Sequence, residues 1–244
     1  MIKIINLYKS FDNIPVLQGI NLEIYNGETI TIMGGSGQGK TVLLKNIVGL
    51  LKPDKGKIFV DDVDITSAEK KVLLNVQKKF GYLFQSSALF DSMTVFENIA
   101  FGLRNYNLSE KEIEYRVKLY LSYVGLEGIE NKYPSELSGG MKKRVALARA
   151  VAYNPQYILY DEPTTGLDPQ TAETITDLII NLQKKLNVTS VVVTHDLKAA
   201  LKVSQRIAFL SNGKIVTILT PQEVLSSDYP LVKEFVSAAI IKNI

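Results

Sequence analysis

One stretch decides the fold of this chain: Gly34-Gly35-Ser36-Gly37-Gln38-Gly39-Lys40-Thr41. It fits the pattern G-x-x-x-x-G-K-S/T, and it lies between an apolar strand-like segment, 29–33, and a helix-like segment, 42–51. Glycines let such a loop curl until its backbone N–H groups point at phosphate oxygens, and the positive end of the following helix adds to the attraction. The sequence therefore predicts a nucleotide-binding loop, in which Lys40 reaches the β- and γ-phosphates and the Thr41 hydroxyl binds Mg²⁺.

The composition excludes several classes of protein. The chain has 244 residues, 46% hydrophobic and 22% charged, which suits one compact α/β domain or two small subdomains. It has no cysteine, so disulfides, zinc–thiolate sites and thiol nucleophiles are excluded. A net charge of +3 is too small to indicate a nucleic-acid partner. No stretch approaches the roughly 18 uninterrupted apolar residues of a membrane span, so any membrane-spanning part of the system is expected in another chain.

Strand-like and helix-like segments alternate along the sequence. Runs rich in β-branched or apolar residues predict strands at 2–7, 15–24, 29–33, 57–60, 80–84, 157–162 and 189–194, and a hairpin of 206–210 with 214–219. Helical spacing predicts helices at 113–124 after a capping box of Ser109 and Glu112, at about 141–153, and from Asp168-Pro169 to 186. The alternation predicts an α/β fold: a largely parallel sheet flanked by helices, with a β-rich start and a helical insertion in the middle.

Polar side chains end three of the apolar strands. Asp161 and Glu162 follow one strand, Gln85 ends another, and His195, the one histidine, follows a third. Parallel α/β sheets bind ligands at the carboxyl ends of their strands, so these groups are expected near the bound phosphates. Asp161 is the candidate for holding Mg²⁺, and Glu162 for orienting and deprotonating the attacking water. The Gln85 amide is suited to contact both the metal and the water.

A second anion site is expected before the helix that ends near Tyr153. Residues Leu137-Ser138-Gly139-Gly140-Met141 precede that helix, so their N–H groups lie at its positive end. One nucleotide needs only one phosphate-binding loop. The second site therefore suggests a nucleotide shared between two subunits.

Taken in order, these motifs resemble the nucleotide-binding cassette of ABC transporters, and the resemblance covers essentially the whole chain. The motifs are the loop at 34–41, Gln85, Ser138-Gly139-Gly140, Asp161-Glu162, Gly166-Leu167-Asp168 and His195. The resemblance implies a P-loop NTPase fold with a RecA-like core sheet flanked by helices, an N-terminal antiparallel β subdomain and an inserted α-helical subdomain. It implies a single nucleotide-binding domain over residues 1–244, with the helical subdomain at roughly 86–155.

The family's residue roles follow from the same resemblance. Residues 34–41 are the Walker A loop, Thr41, Gln85 and Asp161 hold the metal, and Glu162, His195 and Gln85 are catalytic. Ser138, Gly139, Gly140 and Met141 are the signature that covers the γ-phosphate in the opposite monomer, and Asp168 belongs to the D-loop across the interface. Phe11 is similar to the aromatic residue that stacks on adenine, with Val16 nearby. The implied cofactors are ATP and Mg²⁺, and the implied partners are a second copy of the chain and a transmembrane permease.

Three longer segments resemble the ATPase of the Mla and Mce-linked lipid transporters: 39–45, 83–98 and 134–150. Met141 stands where most cassettes carry glutamine, and this subfamily commonly shows that replacement. The resemblance implies phospholipid transport between the two membranes of a Gram-negative envelope, at the cytoplasmic face of the inner membrane. It implies an Mce-domain lipid-binding protein in the complex. Some members also bind a STAS-domain partner. Some carry a C-terminal tail that is longer than the segment that follows residues 236–240 of this sequence.

Two other functions remain open at this point. One is an ABC importer ATPase for a small solute such as an amino acid, which uses the same motifs. The other is a non-transport ABC ATPase of DNA repair or translation. A repair ATPase requires a long coiled-coil or zinc insertion and a translation factor requires two cassettes in one chain, and this sequence contains neither.

An apolar segment after Gln85 is the expected contact with the permease. It contains Leu89, Phe90, Met93, Val95, Phe96 and Phe101. About half of these side chains are expected in the core. By resemblance to other ABC cassettes, the rest form a groove for a short coupling helix of the permease. Leu89 and Phe90, nearest to Gln85, are the candidates for the exposed members.

Overall fold

The computed structural model describes residues 1–241, with side chains to residue 239. Its strands are β1 (Ile2–Phe11), β2 (Ile14–Ile24), β3 (Thr29–Met33), β4 (Lys55–Val60), β5 (Val63–Asp64), β6 (Phe80–Leu83), β7 (Tyr157–Asp161), β8 (Thr189–Thr194), β9 (Arg206–Ser211) and β10 (Lys214–Leu219). Its α-helices are α1 (Lys40–Ile47), α2 (Lys70–Gln77), α3 (Val95–Leu103), α4 (Glu110–Tyr123), α5 (Gly139–Val151), α6 (Pro169–Leu186), α7 (Leu197–Val203), α8 (Pro221–Ser226) and α9 (Pro230–Ile241). No helix in residues 1–241 has both the length and the apolar character needed to cross a membrane.

The described chain divides into two compact units. Within the described residues, the first comprises 1–80 and 189–241, and the second comprises 81–188. The phosphate-binding loop and His195 lie in the first unit. The second unit contains Gln85, the 138–141 segment and the Asp161-Glu162 pair. The helices α3, α4 and α5 lie in the segment where the sequence predicts an inserted helical subdomain, at roughly 86–155.

The first unit contains an antiparallel sheet with the order β2-β1-β4-β5. The β1–β2 hairpin turns at Asp12-Asn13, and both residues have positive φ angles, 49° and 62°. Such angles suit a two-residue hairpin turn, and Asn and Asp tolerate them better than most residues. The turn extends the pairing to Phe11 and Ile14, so β1 runs four residues past the predicted end at Leu7.

The same unit also contains the strand that carries the phosphate-binding loop. β3 is buried along its whole length and pairs in parallel with β8 on one side and with β9 on the other. Its Met33 side chain is fully buried in a core formed mainly by α7, α9 and β9, including Ile207 and Phe209. The loop after β3 therefore starts from a fixed edge of the core.

The second unit contains β6 and β7, which are neighbours in their sheet, and the helices α3 to α6. The inward face of α4 is Ile113, Val117, Tyr120 and Leu121, as the helical spacing predicts. Ser109 caps this helix by accepting from the Glu112 backbone N–H at 3.2 Å. The predicted reciprocal bond of a capping box is replaced, because the Glu112 carboxylate accepts from Arg116 Nε at 2.7 Å.

Several helix and strand ends differ from the sequence prediction. α1 ends at Ile47 instead of Leu51, because Gly49 takes a left-handed conformation with φ of 71° and stops the helix. α5 ends at Val151, two residues before the predicted end. The short α2 and the helices α7, α8 and α9 have no counterpart in the prediction.

Candidate nucleotide-binding site

The phosphate-binding loop leaves β3 through a glycine that the packing requires. A Cβ atom at Gly34 would lie 2.5 Å from the backbone oxygen of Leu210 in β9, too close for any side chain. At the other end of the loop, Gly39 has φ of +95° and immediately precedes α1. Only glycine adopts this conformation without strain. The loop is therefore curled back toward the start of the helix, as phosphate binding requires.

Side chains of the same unit hold the curled loop in place. A Cβ atom at Gly39 would lie 3.0 Å from the side chains of Val16 and Leu17, so β2 packs directly against the loop. The Gln38 Oε1 atom accepts from the Asn212 backbone N–H at 2.6 Å, which ties the loop to the β9–β10 hairpin. Gly35, Ser36 and Gly37, between the packed Gly34 and Gln38, are exposed.

The two side chains that the sequence assigns to phosphate and Mg²⁺ binding, Lys40 and Thr41, lie at the start of α1. The Lys40 side chain is buried, and its ammonium donates to the carbonyl oxygens of Gly34 at 2.8 Å and Gly35 at 2.9 Å. This holds the positive charge over the loop itself. Thr41 is half-buried in the first turn of the helix. This site combines a glycine-rich loop, a helix N-terminus and an adjacent ammonium. Such a combination fits a nucleoside triphosphate with its magnesium ion.

The predicted adenine contact lies on the surface of the first unit. Phe11 ends β1 and is 43% exposed, so it is not a core residue. The Lys9 ammonium lies 5.4 Å from the centre of its ring. Val16, in β2, is half-buried beside Gly39. The structure thus places the Val16 side chain against the phosphate-binding loop and leaves the Phe11 ring accessible.

His195 follows β8 directly, and its side chain is exposed. The next residue, Asp196, caps α7 by accepting from the Ala199 backbone N–H at 3.2 Å. The Asp196 backbone N–H donates to the Thr194 hydroxyl at 3.0 Å. These bonds fix the backbone on both sides of His195, so the imidazole projects from a rigid strand-to-helix turn.

In the second unit, Asp161 is the last residue of β7 and Glu162 follows it directly. Both residues are buried, with 3% and 8% of their surface exposed. Glu162 has a positive φ angle of 46°, an uncommon conformation for a residue that is not glycine. Its Oε2 atom accepts from the Thr165 hydroxyl at 3.0 Å. Backbone strain of this kind often occurs at functional sites, and here it aims a buried carboxylate that the sequence singles out as a catalytic base.

A tyrosine of the neighbouring strand contacts Asp161. The Tyr82 hydroxyl donates to Asp161 Oδ2 at 3.2 Å, and its ring stacks on Phe84 with 4.2 Å between the ring centres. Burial and then the charge of Asp161 raise the pKa of Tyr82, so the hydroxyl stays protonated and able to donate at neutral pH. The sequence analysis does not identify this contact.

Two cations of α5 bind the backbone that surrounds Gln85. The Lys143 ammonium donates to the Gln85 carbonyl oxygen at 2.6 Å and to the Phe84 carbonyl oxygen at 3.4 Å. The Arg149 guanidinium donates to the carbonyl oxygens of Ser87 and Ala88 at 2.8 Å and 2.7 Å. Ser87 and Ala88 both have positive φ angles, 64° and 47°. The Gln85 side chain is exposed, and these contacts fix the strained backbone from which it projects.

Lys143 also lies within the electrostatic reach of the acidic pair. Burial lowers the pKa of Lys143, and the negative charges of Asp161 and Glu162 act in the opposite direction. The positive charge of Lys143 therefore offsets part of the negative charge of the two buried carboxylates. A sequence signal for it existed, because Lys143 shares the i, i+4, i+8 stripe of α5 with the buried residues Leu147 and Val151.

The 138–141 segment begins α5. Ser138 is exposed and caps the helix, accepting from the Met141 backbone N–H at 3.3 Å. A Cβ atom at Gly139 would have no described atom within 4 Å, whereas one at Gly140 would lie 2.6 Å from the Thr171 side chain. Packing within the chain therefore requires glycine at position 140 but not at position 139. A glycine that the chain's own packing does not require is consistent with close approach by another molecule.

Asp168 caps the next helix of the second unit. Its carboxylate accepts from the Thr171 backbone N–H at 3.0 Å, and Pro169 follows as the first residue of α6, as predicted. The hydrogen bonds from Thr171 lower the pKa of Asp168. Because Thr171 also touches Gly140, the start of α5 and the start of α6 are packed together.

The contacts of Lys143 predict a measurable contribution to stability. Lys143→Met removes the donor to two backbone carbonyls and the positive charge beside two buried carboxylates. We expect a loss of about 2 kcal/mol in the free energy of unfolding, because each buried group that loses its partner carries a desolvation cost. Thermal denaturation should show a melting temperature lower by about 5 °C. Lys142→Met, at the half-buried neighbour, is the control, and equal melting temperatures for both variants would contradict this role.

Comparison with known proteins agrees with this geometry. The sequence profile described as "ABC transporter" matches residues 17–165. The methionine import ATP-binding protein MetN of Carboxydothermus hydrogenoformans is 41% identical over 238 residues, 97% of this chain and 71% of the relative. A probable ribonucleotide transport ATP-binding protein of Mycobacterium leprae is 39% identical over 237 residues, 97% of this chain and 68% of the relative. The dimeric ATP-binding cassette MJ0796, bound to ADP and Pi, aligns with a TM-score of 0.83 and 35% identity, over 91% of this chain and 99% of that chain.

The chain belongs to the ABC transporter family. Its fold is the α/β fold of the ABC cassette, with an antiparallel β part and a helical part. The protein is an ATPase that binds ATP with Mg²⁺ and couples its hydrolysis to transport. Cassettes of this family act as dimers with a transmembrane permease.

Proposed function

We propose that Glu162 is the general base of ATP hydrolysis and that Asp161, Thr41 and Gln85 hold the magnesium ion. The observation that carries this proposal is the end of β7, where two adjacent carboxylates are buried and the second has a strained backbone. When bound, the metal neutralises charge on the phosphates. Lys40 binds the phosphates through its ammonium, and Glu162 accepts the proton of the attacking water. His195 orients the γ-phosphate, and Phe11 stacks on the adenine beside Val16.

We further propose that each nucleotide-binding site is completed by a second copy of the chain. Ser138 is exposed at the N-terminus of a 13-residue helix, so the positive end of the helix dipole lies at the surface of the unit. Gly139 has open space around its Cα atom. These features suit a surface that receives the γ-phosphate in the opposite monomer. Met141 lies in the first turn, and Asp168 lies beside this surface through the Gly140–Thr171 contact.

The permease contact is proposed on the second unit, at two exposed aromatic rings. Phe90 is 42% exposed and Phe101 is 47% exposed, with their ring centres 4.9 Å apart. Of the other apolar residues in this segment, Val95 is fully buried, and Leu89, Met93 and Phe96 are half-buried. The buried Asn98 side chain accepts from the Phe90 N–H at 2.8 Å and donates to the Phe90 and Met93 carbonyls. A rigidly held apolar pair fits a helix-in-groove contact with a coupling helix.

This proposal predicts that polar substitution of the pair uncouples the subunit from its permease. Phe90→Asp with Phe101→Asp should reduce co-purification of the permease at least 10-fold, because the apolar anchors of the contact are replaced by charges. ATP binding by the isolated subunit should be unchanged. Tyr115→Asp, at an exposed aromatic residue of α4, is the control for surface charge. Full retention of the complex and of its transport activity would place the interface elsewhere.

We propose phospholipid as the cargo of the complete transporter, as in the Mla and Mce-linked systems. The support is the resemblance of 39–45, 83–98 and 134–150 to those ATPases, together with Met141 after the signature glycines. The proposal includes an Mce-domain lipid-binding protein, a STAS-domain partner and a position at the cytoplasmic face of the inner membrane. The second candidate is a small-solute importer, which the 41% identity to a methionine import protein favours.

Identification of the co-purified partners separates these two candidates. The tagged chain is isolated from native membranes in mild detergent, and its partners and bound lipids are analysed by mass spectrometry. A permease with an Mce-domain protein and bound phospholipid is the expected result. A permease with a solute-binding protein, and ATPase activity stimulated by that solute but not by phospholipid, would contradict lipid transport and leave the ATPase assignment intact.

A further inference from the structure

We infer that Tyr82 is a positioning residue for magnesium binding: its hydroxyl holds one oxygen of the Asp161 carboxylate and so fixes the orientation in which that carboxylate would hold the metal. This inference rests on the role proposed for Asp161. The contact joins the Tyr82 hydroxyl to Asp161 Oδ2 at 3.2 Å. It is specific to the tyrosine hydroxyl, because a phenylalanine would fill the same space without the donor.

Both partners are attached to rigid elements. Tyr82 lies in β6 and Asp161 is the last residue of β7, and these strands are neighbours in the sheet. The Tyr82 ring is restrained by stacking on Phe84, with the ring planes 27° apart. The hydroxyl therefore has a fixed position relative to the backbone of Asp161.

The Tyr82 hydroxyl donates to only one of the two Asp161 carboxylate oxygens, so the two oxygens are no longer equivalent. The terminal torsion of an aspartate is broad, so a carboxylate without such a partner samples many orientations. Asp161 is only 3% exposed, so bulk water is a poor substitute for the lost donor. Outer partners of metal-binding carboxylates typically contribute about 10- to 100-fold to metal affinity or activity.

The test is the magnesium dependence of ATP binding by the full chain. ATP binding is titrated with Mg²⁺ for wild type and Tyr82→Phe, and the intrinsic ATP affinity is measured separately in EDTA. Direct titration with Mn²⁺ in the presence of ATP gives a second readout of the metal site. For Tyr82→Phe we expect the half-saturating Mg²⁺ and Mn²⁺ concentrations to rise about 10-fold, with an unchanged affinity for ATP in EDTA. Tyr120→Phe, which removes the hydroxyl that binds Asn154 in the same unit, should change neither quantity.

Asp161→Asn distinguishes failure of this inference from failure of the role of Asp161. If Asp161→Asn leaves the metal requirement unchanged, the role proposed for Asp161 is wrong and the inference is overturned with it. If Asp161→Asn raises the requirement and Tyr82→Phe does not, only the inference is overturned. If Tyr82→Phe lowers the ATP affinity as much in EDTA as it does with Mg²⁺, then Tyr82 has a general structural effect, and the inference is also overturned. In the double variant, the half-saturating metal concentration should be that of Asp161→Asn alone. If the effects of the two substitutions add fully, Tyr82 does not act through Asp161.

Discussion

Glu162→Gln is expected to lower ATP turnover of the assembled transporter by about 100-fold or more, because an amide cannot accept the proton of the attacking water. The substitution keeps the size of the side chain and the acceptor for the Thr165 hydroxyl. ATP binding should therefore persist, and ATP-bound dimers should accumulate. Turnover is measured by phosphate release, and dimers by size-exclusion chromatography with ATP and Mg²⁺.

Glu173→Gln is the matched control for this variant, since Glu173 is an exposed glutamate of α6 in the same unit. Its turnover should be that of the wild type. Wild-type turnover by Glu162→Gln within its complex would mean that another group is the base, and the strained backbone at Glu162 would then need a different explanation.

Ser138→Arg is expected to abolish ATP-driven dimerisation while leaving ATP binding by the monomer nearly intact. Ser138 is exposed, so its replacement meets no packed core within the chain. The arginine fills the surface that is proposed to receive the partner's γ-phosphate, and it removes the cap of α5. Dimerisation is followed by light scattering in the Glu162→Gln background, and monomer affinity by equilibrium binding of labelled ATP.

Ser122→Arg provides the comparison for this substitution, at an exposed serine near the end of α4 in the same unit. It should dimerise like its parent. If Ser138→Arg instead weakens ATP binding by the monomer as much as it weakens dimerisation, the segment acts within its own chain or supports the fold, and the shared site is wrong.

The sequence predicts best where the backbone conformation depends on local residues. β3, the glycine loop and the start of α1 were predictable because glycines, apolar strand residues and a helix follow one another without interruption. The Asp168-Pro169 cap of α6 was predictable for the same reason. By contrast, α2 was missed because it is only eight residues long and its apolar residues 72–74 are consecutive, so the pattern does not distinguish a helix from a strand.

The contacts that surround the candidate catalytic residues are less visible in sequence. Lys143 lies 58 positions from Gln85, and Tyr82 lies 79 positions from Asp161, so no local pattern connects either pair. The positive φ of Glu162 is also set by the fold and not by its residue type. Among the apolar residues after Gln85, the exposure of Phe90 and Phe101 and the burial of Val95 depend on how α3 packs. Sequence gives the chemistry of these residues, and the structure gives their environment.

Mixing two inactive variants tests the shared nucleotide site most directly. Lys40→Ala removes the ammonium of the phosphate-binding loop, and Ser138→Arg blocks the surface at the start of α5. If each site combines the loop of one copy with the 138–141 segment of the other, a mixed dimer contains one site with both defects and one intact site. In the Glu162→Gln background, each variant alone should fail to form ATP-bound dimers, and the mixture should form dimers that retain one ATP each. A mixture that remains as inactive as its components, with both variants folded, would contradict the central claim that two copies of this chain complete each other's ATP sites.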